Sequence, residues 1–230
     1  MLIAVMNDSS KVSDEDARLM TSAIDMQLRS HVAPGWGRLP PKIYYARGGL
    51  HAAWVPGSSR IHLVDAIPEA PDALGYHTED ADGTIDGRIG CNTILDGGSV
   101  LTGHQSVASV LSHEIIELFL DPFVDFWADA ADGYSYPLEG CDAVQGDVYP
   151  LGGTVVSGSN FVLPSWFDPM GKGPFDHMGK LERPFSISHG GYTVRRKRGT
   201  GTTEIFGSRP IWKKSLRGVV RHRTPEQRPA

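Results

Sequence analysis

With 230 residues, 40% of them hydrophobic and 21% charged, the chain has an ordinary globular composition and length for one large domain or two small ones, which excludes a collagen-like, low-complexity or fully disordered protein. Its two cysteines, Cys91 and Cys141, are too few for a disulfide framework or a cysteine-rich zinc module, and a core of this size needs neither. The net charge of −5 conceals a split: residues 195–230 hold eleven Lys/Arg against two Glu, or +9, and residues 1–194 hold eleven against twenty-five acidic residues, or −14.

In chain order, Leu2 to Met6 reads as a short buried strand. No basic leader or small-residue cleavage site accompanies it, so a signal peptide is not expected, and no run approaches the ~18 apolar residues of a membrane span. The sparse cysteines favour a reducing, cytoplasmic address. Ser13 with Asp16 three residues on is a helix-start signal, followed by Ala17, Met20, Ile24 and Leu28 at helical spacing and ended by Pro34-Gly35. From Lys42 to Leu95 the pattern changes to short apolar runs split by Gly, Pro and Asp. Ile43 to Ala46, Ala52 to Val55, Arg60 to Val64 and Arg88 to Leu95 are expected as strands of one sheet. The turn signal Asp80-Ala81-Asp82-Gly83 predicts a hairpin joining Leu74–His77 to the next strand. A second helix is expected from about Gly103 to Leu120, stopped by Asp121-Pro122. Beyond it the chain is rich in Gly, Pro and aromatics with little periodicity, as in irregular structure covering a site. This order argues for an α+β domain over residues 1–194 and a basic extension over 195–230. Arg195-Arg196-Lys197-Arg198 lacks the interleaved aromatics of a single-strand binder, so nucleic acid is not the expected partner. The extension suits an acidic partner, the acidic body itself, or a plain solubilising role.

Ser112-His113-Glu114-Ile115-Ile116-Glu117-Leu118-Phe119-Leu120-Asp121-Pro122 carries the chemistry. At about 100° per residue from Val107, His113 falls near 240°, Glu117 near 280°, Asp121 near 320° and Glu114 near 340°, so the four share a face. Val107, Leu111, Ile115, Leu118 and Phe119 form a separate apolar face for packing on a sheet. His104, near 60°, lies apart and reads as a helix-start or core histidine. A histidine and a carboxylate at i and i+4 are one turn apart and can grip one divalent ion, and Glu114 then stands beside the water that ion would activate. Chance occurrences of His-Glu-x-x-Glu in this composition number about 0.014. A third ligand is needed, and Glu139-Gly140-Cys141-Asp142 offers two carboxylates and a thiol. Asp142 or Glu139 is expected to ligate, with the other supporting His113, while Cys141 fits a ligand or a small packed residue. Asp121 reads as an end-of-helix turn residue or as support behind the ligands. Tyr149, His189 and Tyr192 are candidates to stabilise an oxyanion, and their spacing does not choose among them.

Taken together, His113-Glu114-x-x-Glu117, Asp121-Pro122, Trp127 and Glu139-x-x-Asp142 resemble zincin-like metallopeptidase domains whose second ligand is Glu. The same order occurs in the plant EXORDIUM-like secreted proteins. A closer similarity is to a group of phage and bacterial proteins, through Cys141-Asp142-Ala143-Val144-Gln145-Gly146-Asp147-Val148-Tyr149 and Asn160-Phe161-Val162-Leu163-Pro164-Ser165-Trp166-Phe167. The similarity covers residues 74 to 194. It implies a mixed sheet packed on a central metal-binding helix, Zn²⁺ or another divalent ion as cofactor, a peptide or protein substrate, and a virion-associated setting if the chain is phage-encoded. It also implies that the strand before the helix, Arg88 to Leu95, is a sheet edge that pairs with extended substrate. A non-catalytic member of the same scaffold, serving phage structure or assembly, is the rival reading. It is motivated by the missing second histidine and the basic extension.

Overall fold

Leu2–Asn7 (β1) is apolar from Leu2 to Met6, and such a strand is stable only when both faces are covered. It lies second in a five-stranded sheet ordered β2-β1-β3-β5-β4, with β2 at Lys42–Ala46, β3 at Ser59–Val64, β4 at Gly75–Glu79 and β5 at Ile85–Gly90. The strands β2, β1, β3 and β5 run parallel, and β4 returns antiparallel along β5 as the edge. This computed structural model describes residues 1–46, 55–80, 83–197 and 199–208. The expected strand at 52–55 is outside the described residues but for Val55. So are Ala81 and Asp82 of the hairpin turn, Arg198, and the basic extension from 209 onward.

Helix α1, Asp14–Gln27, begins where expected, with the Ser13 hydroxyl accepting from the Asp16 N–H at 3.0 Å. A π-helical turn at Leu28–Val32 and the single turn Ala33–Gly35 (α2) carry it to Pro34-Gly35. Arg88 to Leu95 is not one strand. Gly90 closes the β5 ladder through Leu74, and the chain then coils into α3, Cys91–Leu95, which turns Cys91 and Ile94 inward at i and i+3. The main helix α4 is Val107–Leu120, four residues shorter than expected. Ser106 and Ser109 exchange side-chain-to-backbone hydrogen bonds at 3.1 Å in each direction, a capping box that sets the start. Met20 and Ile24 of α1, Leu28 of the π-helical turn, and Leu111, Ile115 and Leu118 of α4 join Ile3, Val5, Ile61, Leu63 and Ile89 in one core on one side of the sheet. The alternate residues of β3 and β5 face the other side, where His62 is held between Asp8 (2.6 Å) and Asp86 (3.3 Å), and Arg60 also meets Asp86 at 3.0 Å.

The remainder is more ordered than its composition suggests. Trp127–Asp129 (β6), Ser135–Pro137 (β7), Tyr192–Arg196 (β10) and Thr202–Phe206 (β11) form a sheet ordered β11-β10-β7-β6, and Val148–Pro150 (β8) pairs with Ser157–Ser159 (β9). Strands of three to five residues are too short to leave a readable period. Strand β10 crosses the boundary expected after residue 194, so the folded body continues to at least Phe206. Aromatic partners do reach the basic run: Arg195 lies 4.0 Å over the ring of Tyr134, just before β7, and Arg196 3.9 Å over that of Trp127 in β6. Among the described residues no helix is long and apolar enough to cross a membrane.

Replacing Ser106 by Ala removes one half of the buried capping box and is expected to cost about 1 to 2 kcal/mol, read from urea unfolding. The hydrogen bonds and charges of Asp86 and Asp8 raise the His62 pKa against the opposing effect of burial. The stabilisation lost in His62→Gln is therefore full below the unfolded-state value of about 6.5 and fades as pH rises through the higher folded-state value. Urea midpoints of the two proteins should thus differ more at low pH than at alkaline pH.

Candidate metal centre

A helix presents every fourth side chain on one face, and α4 uses this to stack His113 over Glu117 with Glu114 alongside. The His113 Nε2 lies 3.1 Å from Glu117 Oε2 and 3.3 Å from Asp142 Oδ1. Asp142 arrives in a 3-10 turn, Asp142–Val144, and the helix itself fastens that turn. The Glu117 Oε1 accepts the main-chain N–H groups of Cys141 at 3.0 Å and Asp142 at 3.3 Å. One carboxylate thus faces the imidazole with one oxygen and anchors the loop with the other. The Cys141 thiol completes a set with His113 and Glu117 whose donor atoms lie within 4.8 Å of one another. From outside, the turn is held by the segment 188–191, where Ser188 N–H donates to Ala143 O at 2.9 Å and Gln145 Nε2 donates to Gly190 O at 3.2 Å. Gly191 permits this approach, because a Cβ there would sit 2.2 Å from the Ala143 carbonyl. The next residue, Tyr192, is buried, and burial with the charges of Asp142 and Glu117 holds its phenol well above the ordinary value.

Sequence reasoning missed one residue of the site, His77. On β4 its Nδ1 lies 3.2 Å from Glu114 Oε2 and its Nε2 lies 3.4 Å from the Asp121 carbonyl oxygen. The available signal was strand alternation, which turns Gly75 and His77 inward together. Within one layer the structure therefore gathers the buried carboxylates of Glu114, Glu117, Asp121, Glu139 and Asp142 around the imidazoles of His77 and His113. The charges respond to this crowding. Burial, then Glu117 and Asp142, push the Glu139 carboxyl well above the usual range, and burial lifts Asp121 to about 6. Burial opposes protonation of His113, but Glu117 and Asp142 outweigh it and raise its pKa well above the ordinary value. Burial also pushes the Cys141 thiol upward.

Of the two carboxylates offered as a third ligand, Asp142 lies 3.3 Å from His113 Nε2, and Glu139 is buried among the charges of Glu117 and Asp142. Asp121 serves as a turn residue, its side chain accepting the N–H groups of Asp125 at 3.3 Å and Phe126 at 3.0 Å. Tyr192 borders the site through Asp142. The Tyr149 hydroxyl meets Gln27 Nε2 and His31 Nδ1, each at 3.0 Å, and its ring lies against His177. His189 is an exposed residue of the 188–191 segment, and His104 is exposed before the helix cap rather than in the core. A spacing along the chain does not say which loop folds back on the helix, so it could not choose among Tyr149, His189 and Tyr192.

No family model, curated protein or solved structure matches the chain.

Truncating Glu117 to Ala leaves two buried main-chain N–H groups without their acceptor and His113 without its neighbour. Unfolding in urea should show a loss of about 3 kcal/mol, against a much smaller loss for Glu117→Gln, whose amide oxygen still accepts.

Proposed function

We propose that this chain is a zinc-dependent hydrolase with a zincin-like fold, and that it cleaves peptide bonds. The observation that carries the reading is the His113 nitrogen standing between carboxylates of Glu117, one helical turn away, and Asp142, from a loop the helix itself anchors. An imidazole nitrogen, two carboxylates and a neighbouring thiol suit a zinc ion, and the crowding of buried acids is relieved by a bound cation. His113, Glu117 and Asp142 would hold the ion, with Cys141 close enough to join them. A bound zinc ion would acidify water and polarise a carbonyl oxygen.

The residues of the chain supply the rest. Glu114, next to the first ligand and off the ligand set, takes the proton of the attacking water and passes it to the leaving amine. Tyr192, whose phenol feels the charges of Asp142, Glu117 and Glu139, is the tyrosine suited to assist with charge on the substrate oxygen. The sheet edge beside the helix, the place for an extended peptide in such folds, is β4. The expected strand 88–95 is ruled out for that role, because β5 lies inside the sheet between β3 and β4.

Elemental analysis of protein purified without chelator should find one zinc per chain. Asp142→Asn should weaken zinc binding by about tenfold or more, with Glu139→Gln close to wild type. Glu114→Gln should retain zinc and lose about a thousandfold or more of the cleavage seen against a peptide library. Zinc without any cleavage by the wild type would instead favour a non-catalytic zincin-like scaffold, and absence of zinc would defeat the reading.

A further inference from the structure

We propose that strand β4 fixes the position of Glu114: His77 hydrogen-bonds one of its oxygens, Gly75 leaves the space its side chain occupies, and the Asp121 carbonyl sets the His77 tautomer. His77 is then a positioning residue and not a ligand. The name of general base for Glu114 rests on the hydrolase reading; the geometry of the pair does not.

By distance alone His77 has a different prospect, because His77, Glu114 and Glu117 also place donor atoms within 4.8 Å of one another, as an ion site would. Hydrogen-bond chemistry decides against it. The Asp121 carbonyl oxygen carries no hydrogen, so a bond to Nε2 requires that nitrogen to be the donor. A protonated ring nitrogen has no lone pair for a cation. The ring is 2% exposed, so Nε2 has no bulk water as an alternative partner. With Nε2 committed, Nδ1 is left facing Glu114 Oε2 at 3.2 Å. A hydrogen bond across that gap needs one shared proton, as Nδ1–H donating to the carboxylate or as the carboxyl O–H donating to Nδ1.

Gly75 acts from the same face of the strand. A Cβ there would lie 3.1 Å from both Cγ and Oε1 of Glu114 and 3.0 Å from Ile89 Cδ1. These approaches are closer than side chains ordinarily allow, and both neighbours are buried, one on the helix and one in the core. An alanine at 75 displaces Glu114 while removing no hydrogen-bonding group, which separates position from chemistry.

The test is nitrogen-15 NMR of the histidine rings in the full chain, for wild type, Glu114→Gln and Gly75→Ala, each with and without added Zn²⁺. His77→Gln serves to assign the ring, and the other two variants keep the test open if it does not fold. The expected result is a His77 ring with a slowly exchanging Nε2–H, an Nδ1 signal that moves in both Glu114→Gln and Gly75→Ala, and retention of the Nε2–H when zinc shifts His113. Loss of the Nε2–H with a ligand-type shift at His77 on adding zinc would overturn the proposal. So would a His77 spectrum unmoved by both substitutions. If zinc shifts no histidine while the His77–Glu114 signature is intact, the pair stands and only the zinc reading fails.

Discussion

The Glu117 carboxylate ties the molecule together, because its two oxygens serve different elements. One faces His113 across a turn of α4, and the other accepts the main-chain N–H groups of Cys141 and Asp142. Buried N–H groups without acceptors are costly, so the loop that delivers Asp142 has a strong reason to lie on this helix and in this register. The same bond lets a carboxylate from far along the chain meet an imidazole on the helix. Without it, α4 would carry two ionisable side chains into a core with no complement.

The surrounding fold is arranged to hold that contact rigidly. On one flank, α4 packs with α1 onto the parallel strands, and the buried Ser112 hydroxyl donates to Gln27 Oε1 at 2.7 Å while accepting the Ser159 N–H at 3.0 Å. Helix α1, α4 and β9 are thus fixed to one another just one residue before His113. On the other flank, β4 runs beside the helix as the sheet edge and brings His77 against Glu114. Sites built between a helix and a strand hold their geometry better than sites built on loops alone, and only Asp142 and its neighbours are loop-borne here.

The acidic excess of residues 1–194 has a structural counterpart in this layer of carboxylates. Burial disfavours their charged forms, and mutual repulsion adds to it, as the upward shifts of Glu139 and Asp121 express. A cation, or the imidazolium of a histidine, is the natural counterweight. The basic residues at the start of the expected extension do not supply it. Arg195 and Arg196 are spread over Tyr134 and Trp127 on the small second sheet, so that part of the positive charge belongs to the folded body.

Much was legible in the residues themselves. Periodicity and caps determine the two long helices, β1 and the β4–β5 hairpin, and His113, Glu114 and Glu117 share a face on any helix drawn through them, because 3.6 residues per turn is a local property. What tertiary structure decided is everything that depends on contacts distant in sequence. It set Asp142 beside His113, tied the Tyr149 hydroxyl to Gln27 and His31, left His189 exposed, and made β4 the sheet edge in place of the 88–95 segment. It also brought in His77, from 36 residues before His113. Those outcomes follow from which buried N–H finds which carboxylate and which strand lies outermost, and no spacing along the chain encodes either.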